Sequence, residues 1–132
     1  MAVSIFGVGD STLQALGGET ALRELVDRFY DAMERLPEAQ DIRAMHPQDL
    51  TLSRDKLTTF LTGWMGGERR YSERFGPISI PAAHQHLAIG EAERDAWLLC
   101  MHTALDEMQV TPELHRYLMT QLRHPAEMCR TR

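Results

Sequence analysis

Residues Pro81-Ala-Ala-His84-Gln-His86-Leu-Ala-Ile89-Gly90 run directly into Glu91-Ala-Glu-Arg-Asp-Ala-Trp97-Leu-Leu-Cys100-Met101. Two histidines thus lie two residues apart, immediately before a segment of strong helical character. Acidic side chains in its first turn favour a helix start, because they oppose the positive end of the helix dipole. Apolar residues then recur at helical spacing, which predicts a long helix over residues 91–108. The apolar stripe consists of Trp97, Met101, Ala104, Leu105 and Met108.

Upstream, two further apolar stripes predict long helices. The first begins at Glu19 and closes at Pro37, and the second covers roughly residues 51–64 and stops at a Gly-Gly pair. A short helix over residues 12–16, with Ser11 as its N-cap, precedes them, and one helical turn fits residues 42–45. The two stripes consist of Leu22, Leu25, Val26, Phe29, Tyr30 and Met33, and of Leu57, Phe60, Leu61 and Trp64.

Downstream, Thr111 and Pro112 mark the start of a fourth long helix, since threonine caps helix N-termini and proline suits the first helical position. Pro125 is expected to kink or end this helix. No strand pattern competes, so the predicted class is all-α, with four main helices packed in pairs. Residues 68–82 have weak periodicity and predict a long loop that leads to a short helix around His84.

Composition limits the class of protein. The 132 residues fit one domain, residues 1–132, with an irregular extension over residues 1–10. Hydrophobic residues make up 43% of the chain, and no apolar run approaches the ~20 residues of a membrane span. The net charge of −5 argues against nucleic-acid binding. The N-terminus lacks the basic region of a secretory signal and only two cysteines occur, so a cytoplasmic location is expected.

Several aromatic residues and the long loop indicate a cavity between the helices. Tyr30, Trp64 and Trp97 carry hydrogen-bond donors that need partners when buried. The loop places His84 between the second and third long helices, and loops of this length are usually functional. Yet an aromatic residue on an apolar stripe is usually core, and a histidine near a helix start is usually a surface or capping residue. The residues alone therefore indicate a soluble helical domain, with or without a ligand pocket.

No rival chemistry is supported by a motif. The chain has no glycine-rich nucleotide motif, no HExxH and no closed Cys/His set for zinc. Glu113 and His115 lack the spacing of a di-iron bundle motif.

A series of short stretches, in this order and spacing, resembles the truncated haemoglobins of bacteria, and among them group II. The similarity extends from Leu16 to about Cys129. The stretches are Leu16-Gly-Gly-Glu19, Leu25-Val26-x-x-Phe29-Tyr30, Ile42-Arg-x-Met-His46-Pro47-x-Asp49-Leu50, Phe60-Leu61-x-x-Trp64-x-Gly66-Gly67, Tyr71-Ser and Ile89-Gly90-Glu-x-Glu93-Arg94-Asp95-x-Trp97-Leu98-x-Cys100-Met101. The resemblance implies a truncated globin-like two-over-two helical sandwich that holds one haem b.

The resemblance also implies site residues. The distal face, where a diatomic molecule binds, would consist of Tyr30, Trp97, His46, Ser53 and Leu57. Haem contacts are implied for Phe60, Leu57, Trp64, Tyr71, Ile89, Trp97, Met101 and Arg69. Among these, Phe60 matches a haem-packing phenylalanine and Tyr71 matches a contact to a haem propionate.

The iron ligand falls where the chain departs from the family pattern. Counting back from Ile89, or forward from the Gly-Gly pair, selects His84 as the metal ligand, and His86 then stands where the family usually has proline. Residues two apart on a helix point ~200° apart, so only one of the two histidines can face the iron. The family usually has an arginine at Ala83 that reaches a propionate. The candidate substitutes are Arg69, Arg70 and Tyr71.

The implied function is reversible binding of O2 or another diatomic ligand at a five-coordinate haem iron; NO, CO and peroxide are further candidate ligands. Hydrogen-bond donors from Tyr30, Trp97 and His46 would slow ligand release, which favours redox chemistry, scavenging or sensing over bulk oxygen transport. The alternative is a peroxidase-like or nitric-oxide-detoxifying enzyme that needs an external reductase. A haem-free helical interaction protein is a third class. The protein is expected to be a monomer or homodimer, without a nucleic-acid or membrane partner.

Overall fold

The computed structural model describes residues 6–77 and 79–132, and all regular structure in these ranges is helical. The helices are α1 (Ser11–Leu16), α2 (Glu19–Arg35), α3 (Gln40–Ala44), α4 (Thr51–Trp64), α5 (Tyr71–Phe75), α6 (Ile80–His84), α7 (Glu91–Met108) and α8 (Pro112–Met128), with a 3₁₀ turn over Pro37–Ala39. The all-α prediction is confirmed. Of the irregular extension predicted over residues 1–10, residues 6–10 contain no helix, and residues 1–5 lie outside the described ranges.

The four long helices form two stacked pairs. α2 packs against α4, α7 packs against α8, and the pairs meet where α2 packs against α7. Fully buried side chains from all four helices fill the space between them, and each such side chain contributes roughly 1.5–3 kcal/mol. They include Phe29, Met33, Leu61, Met101, Leu105, Leu118 and Leu122. No helix in the described ranges is long and apolar enough to cross a membrane.

Helix α2 begins and ends where the sequence predicts. Glu19 stands in its first turn and Arg35 in its last, so both charges oppose the helix dipole. Pro37 ends the helix, because it disfavours helical geometry in the preceding Leu36, which is extended at φ −77° and ψ 128°. The buried face of α2 carries adjacent aromatic rings into the centre of the molecule.

Helix α4 also has the predicted bounds, and Gly66 explains why the chain turns after it. Gly66 adopts φ +93°, a left-handed value that glycine tolerates without a steric penalty. A Cβ at this position would lie 1.7 Å from the carbonyl oxygen of Gly9. The glycine therefore permits a backbone contact between the end of α4 and the segment before α1.

The segment between α4 and α7 is more helical than predicted. The loop expected over residues 68–82 contains the five-residue helix α5, which the weak periodicity did not reveal. The short helix predicted around His84 is α6, which ends at this histidine and is capped by the Ser79 hydroxyl. The chain after α6 is held by the C-terminus, because the backbone N–H of Ile89 donates to Thr131 Oγ1 at 2.9 Å.

Helices α7 and α8 begin with side-chain caps. The Glu93 carboxylate accepts a hydrogen bond from the backbone N–H of Gly90 at 2.7 Å. The Thr111 hydroxyl accepts one from the backbone N–H of Leu114 at 3.3 Å, as the sequence predicts.

Pro125 requires a correction of the expectation that it ends the last helix. α8 continues through Pro125 to Met128. Proline costs the helix one backbone hydrogen bond, but Pro125 and its neighbour Ala126 are buried, and Leu122 one turn earlier is buried as well. This packing holds the helix together across the proline.

Candidate functional site

A cavity of about 290 Å³ lies where α2, α4, α5, α6, α7 and α8 meet. This volume is just below the ~300–1,000 Å³ found for small-molecule sites. Most of the side chains that the sequence singled out line it: Tyr30, His46, Ser53, Leu57, Phe60, Tyr71, His84 and Trp97. The fold therefore brings together residues that lie up to 67 positions apart along the chain, from Tyr30 to Trp97.

Four of the implied haem contacts lie elsewhere. Trp64 and Arg69 line two neighbouring cavities of about 320 and 370 Å³, and the second of these shares the rings of Phe60 and Tyr71 with the main cavity. Ile89 is 8% exposed and packs near the C-terminus, and Met101 is fully buried in the core. Volume alone does not select the main cavity, but the described lining of the other two contains no histidine.

His84 enters the cavity at the end of α6 with a defined tautomer. Its Nδ1 lies 2.7 Å from the carbonyl oxygen of Ile80. Because a carbonyl oxygen can only accept, Nδ1 must carry the hydrogen, and Nε2 of the neutral ring keeps its lone pair. This is the arrangement that a metal-binding histidine needs. His86 is exposed and is not among the lining residues.

The Cys129 thiol lies beside the His84 imidazole but leaves its Nε2 atom free. Its Sγ is 3.7 Å from His84 Nε2 and 3.4 Å from the carbonyl oxygen of Pro125. Burial raises the pKa of the Cys129 thiol to about 11, so the sulfur is protonated near neutral pH. The single thiol hydrogen can serve the Pro125 carbonyl, which leaves Nε2 free.

Tyr30 and Trp97 are oriented by the same buried ring. Phe29 lies with its centroid 5.0 Å from that of Tyr30 and 5.1 Å from that of Trp97. The Tyr30 hydroxyl donates to the backbone carbonyl of Ser53 at 3.4 Å, a long and therefore weak hydrogen bond. Burial raises the pKa of Tyr30 to about 12, against the opposing charge of Arg54, so the hydroxyl keeps its hydrogen.

His46 stands next to Tyr30, with 5.7 Å between the ring centroids. Its Nδ1 is 2.8 Å from the carbonyl oxygen of Ile42 and so carries the hydrogen. Burial lowers the pKa of His46, the bond to Ile42 opposes this shift, and the charge of Arg43 reinforces it. The ring is therefore neutral near pH 7, and its Nε2 offers a lone pair rather than a hydrogen.

The cationic side chain in the described lining of the cavity is Lys56. It packs near Phe75, with Nζ 5.7 Å from the ring centroid. Arg70, a predicted substitute for the missing arginine, instead forms ion pairs with Glu19 and Glu68 on the surface. Ala83 lines the cavity without contributing charge.

Sequence reasoning missed one complete wall of the cavity. Besides Lys56 and Leu61 of α4 and Ile80 and Ala83 of α6, the lining includes Leu122, Pro125, Ala126 and Cys129. The last four follow the i, i+3, i+4, i+7 spacing of one helix face, which was the signal available in the sequence. Lys56 has the same relation to Ser53, Leu57 and Phe60.

The chemistry of this lining fits the haem implied by the resemblance. Leu57, Phe60 and Leu122 provide apolar walls, and His84 provides an imidazole with a free lone pair. Tyr30 and Trp97 provide hydrogen-bond donors. Apolar walls with one imidazole and a few donors are what a haem pocket requires.

Comparisons with known proteins agree with this geometry. The model of the family described as bacterial-like globin matches residues 11–129. Group 2 truncated hemoglobin YjbI of Bacillus subtilis (strain 168) is 35% identical over 105 residues, which are 80% of this chain and 77% of the relative. The group II 2-on-2 hemoglobin of Agrobacterium tumefaciens has a TM-score of 0.84 and 35% identity, over 98% of this chain and 96% of that one.

A further solved structure, of a truncated oxygen-avid haemoglobin from Bacillus subtilis, has a TM-score of 0.81 and 32% identity, over 90% of this chain and 98% of that one. These matches confirm the resemblance seen in the sequence and the two-over-two arrangement of the long helices. The chain therefore belongs to the bacterial-like globin family as a group II truncated haemoglobin, and this family implies a haem cofactor and a small gaseous ligand.

Proposed function

We propose that this chain binds haem b through His84 and reversibly holds O2, or another diatomic molecule, beneath Tyr30 and Trp97. One observation carries the proposal: an imidazole with a free lone pair and two hydrogen-bond donors converge on a single cavity. Each group alone is common in helical cores, so their convergence is what distinguishes a ligand site from packing.

Helix α6 itself fixes the orientation of the His84 ring. When bound, the haem iron supplies one open coordination position for a diatomic molecule. The hydrogen bond from His84 Nδ1 to Ile80 fixes the ring orientation and makes Nε2 a better electron donor. The carbonyl acceptor lies one turn earlier in the same short helix, so the orientation is set locally and is independent of His86.

Tyr30 and Trp97 supply the hydrogen bonds to the diatomic ligand. The Tyr30 hydroxyl spends little energy on its 3.4 Å bond to Ser53, so it can turn to a better acceptor at small cost. A hydrogen bond to a polarised ligand is worth ~1.5–3 kcal/mol, and ~1.4 kcal/mol is tenfold in a rate or equilibrium constant. Two such bonds predict slow O2 release, in line with the relative described as oxygen-avid.

His46 has a different role in this proposal. Its neutral ring presents a lone pair at Nε2, so it accepts a hydrogen bond from Tyr30 or from a protonated ligand. Because Tyr30 has a single hydroxyl hydrogen, it would donate to His46 only while no diatomic ligand accepts that hydrogen. A peroxide ligand would find a proton acceptor here, which is the observation that favours the peroxidase-like alternative with an external reductant.

The haem propionates would be held by Lys56 and Tyr71. Both line the cavity, whereas Arg69 lines the neighbouring cavities and Arg70 is engaged with two carboxylates. An ammonium group and a phenol are both suitable partners for a carboxylate. The chain thereby replaces the arginine that the family usually has at Ala83 by a lysine from α4.

The proposal is tested by haem titration followed by O2 cycling. The purified protein is titrated with haemin, reduced, exposed to O2 and then returned to argon, while its visible spectrum is recorded. We expect stoichiometric haem uptake and a spectral change with O2 that reverts under argon. Failure to bind haem, or a spectrum that O2 leaves unchanged, would contradict the proposal.

A further inference from the structure

Away from the haem cavity, three side chains that suit a metal ion meet where the end of α7 packs against the start of α8. His102 and Asp106 lie one turn apart on α7, and His115 lies in the first turn of α8. One ligand atom from each residue lies within 4.8 Å of the other two. None of the three lines the cavity. We propose that His102, Asp106 and His115 form a surface site for a divalent transition-metal ion of the Zn²⁺ class.

The three side chains are close enough to bind one metal ion. His115 Nε2 is 2.9 Å from His102 Nδ1, and Asp106 oxygens are 3.3 Å from His102 Nε2 and 3.5 Å from His115 Nδ1. Ligand atoms at 2.0–2.1 Å from a tetrahedral ion are ~3.3 Å apart. Each ring contacts Asp106 through one nitrogen and the other ring through its second nitrogen, so ring rotation must accompany binding of a common ion. Two nitrogens 2.9 Å apart share one hydrogen, so a bound ion would replace this hydrogen bond between the two rings.

The ligand set determines which ions are suitable. Two imidazoles and one carboxylate are a known ligand combination for zinc, with water in the remaining position. Imidazole also suits copper, nickel and cobalt, whereas Mg²⁺ and Ca²⁺ prefer all-oxygen sites. The site therefore selects transition metals over the more abundant hard cations.

Access and rigidity both favour binding. The side chains of His102 and Asp106 are 50% and 62% exposed, so an ion can enter directly and keep a water ligand, while His115 is 17% exposed and is held by its surroundings. The supporting helices pack against each other through the core, so the Cα positions are fixed. A surface pair on one helix would involve only His102 and Asp106. A metal site needs a further ligand, and His115 provides it from the neighbouring helix.

The test uses the protein as isolated, without an affinity tag, and Zn²⁺ alone as the probe. Isothermal titration calorimetry compares the wild type with His102→Gln and His115→Gln, and with His124→Gln as a matched control, since His124 is an exposed histidine of α8 outside the cluster. We expect saturable Zn²⁺ binding by the wild type and by His124→Gln. His102→Gln and His115→Gln should each weaken Zn²⁺ binding about tenfold or more. Even residues that only hydrogen-bond to a metal ligand contribute about tenfold to metal affinity, and a direct ligand should contribute at least as much. Mg²⁺ should not compete.

Thermal melting gives a second readout. Zn²⁺ should raise the melting temperature of the wild type and of His124→Gln, because binding to the folded state alone stabilises it, and should leave His102→Gln unchanged. His102 is exposed, so its substitution preserves folding. Equal affinity in wild type and His102→Gln, or no saturable binding by the wild type, would overturn the proposal.

Discussion

At the scale of single residues, hydrogen-bond direction decides what each polar group can do. His46 and His84 both donate from Nδ1 to a backbone carbonyl four residues earlier, at 2.8 and 2.7 Å. In the neutral form of each ring, the lone pair is therefore at Nε2. Tyr30 keeps its hydrogen because its pKa is raised to about 12, so it remains a donor throughout the physiological range. The cavity thus contains acceptors and donors with separate, fixed roles.

Trp97 provides the most direct prediction at this scale. Trp97→Phe removes the indole N–H but keeps a ring against Phe29, so packing is largely preserved. We expect O2 dissociation to become roughly tenfold to a hundredfold faster, the equivalent of one hydrogen bond to a polarised ligand. Stopped-flow measurement of the dissociation rate checks this.

Trp64→Phe is the matched control for this substitution. Trp64 is half-buried as Trp97 is, but it lines only the neighbouring cavities. Its substitution should leave the dissociation rate within about twofold, since no hydrogen bond to the ligand is lost. An unchanged rate in Trp97→Phe would remove this residue from the proposed site.

The sequence allowed us to predict which residues line the cavity better than the hydrogen bonds and the burial of their side chains. Tyr30, Trp97 and His84 were selected from the sequence and meet in one cavity. The acceptor state of His46 was not foreseeable, because it depends on the carbonyl of Ile42 and on burial. The position of Lys56 in the cavity lining was equally hidden, since a lysine on a helix is ordinarily a solvated side chain.

At the scale of helices, a glycine contact decides how the end of α4 meets the segment before α1. Gly66 combines a left-handed backbone with a carbonyl contact to Gly9. Gly18, at the start of α2, has a similar φ of +87° but no heavy atom within 4 Å of a Cβ placed there. Substitution by alanine at both positions therefore distinguishes the cost of backbone strain from the cost of steric overlap.

Gly66→Ala should destabilise the protein more than Gly18→Ala. Left-handed strain costs of the order of 1–3 kcal/mol at either position. Only at position 66 does the new methyl group also overlap with the backbone, at 1.7 Å from the Gly9 oxygen. Urea unfolding of both variants measures the difference, and equal losses of unfolding free energy would show that the close approach contributes nothing.

The long helices were predictable because each has its own stripe and its own stop signals. α4 and α7 have the predicted bounds, and Pro37 and Thr111 act as expected. The short α5 and the continuation of α8 past Pro125 were not predictable, because tertiary packing decides them. Local signals describe helices that can form alone, and they fail where neighbouring helices supply the missing stabilisation.

At the scale of the whole molecule, two stacked helix pairs leave a cavity that the short helices α5 and α6 close from the side. Ala83 and His86 stand where the family usually has arginine and proline, yet α6 presents a histidine whose Nδ1 donates to the Ile80 carbonyl. We propose that one imidazole that reaches the cavity nevertheless binds the haem iron. The central claim is that this imidazole belongs to His84 and not to His86.

The most direct test is the absorption spectrum of the reduced, haem-loaded protein beside those of His84→Ala and His86→Ala. We predict a five-coordinate haem spectrum for the wild type and for His86→Ala, because His86 is exposed and does not line the cavity. His84→Ala should lose this spectrum, and added imidazole should restore it by occupying the vacated position. A five-coordinate spectrum that persists in His84→Ala and disappears in His86→Ala would contradict the account.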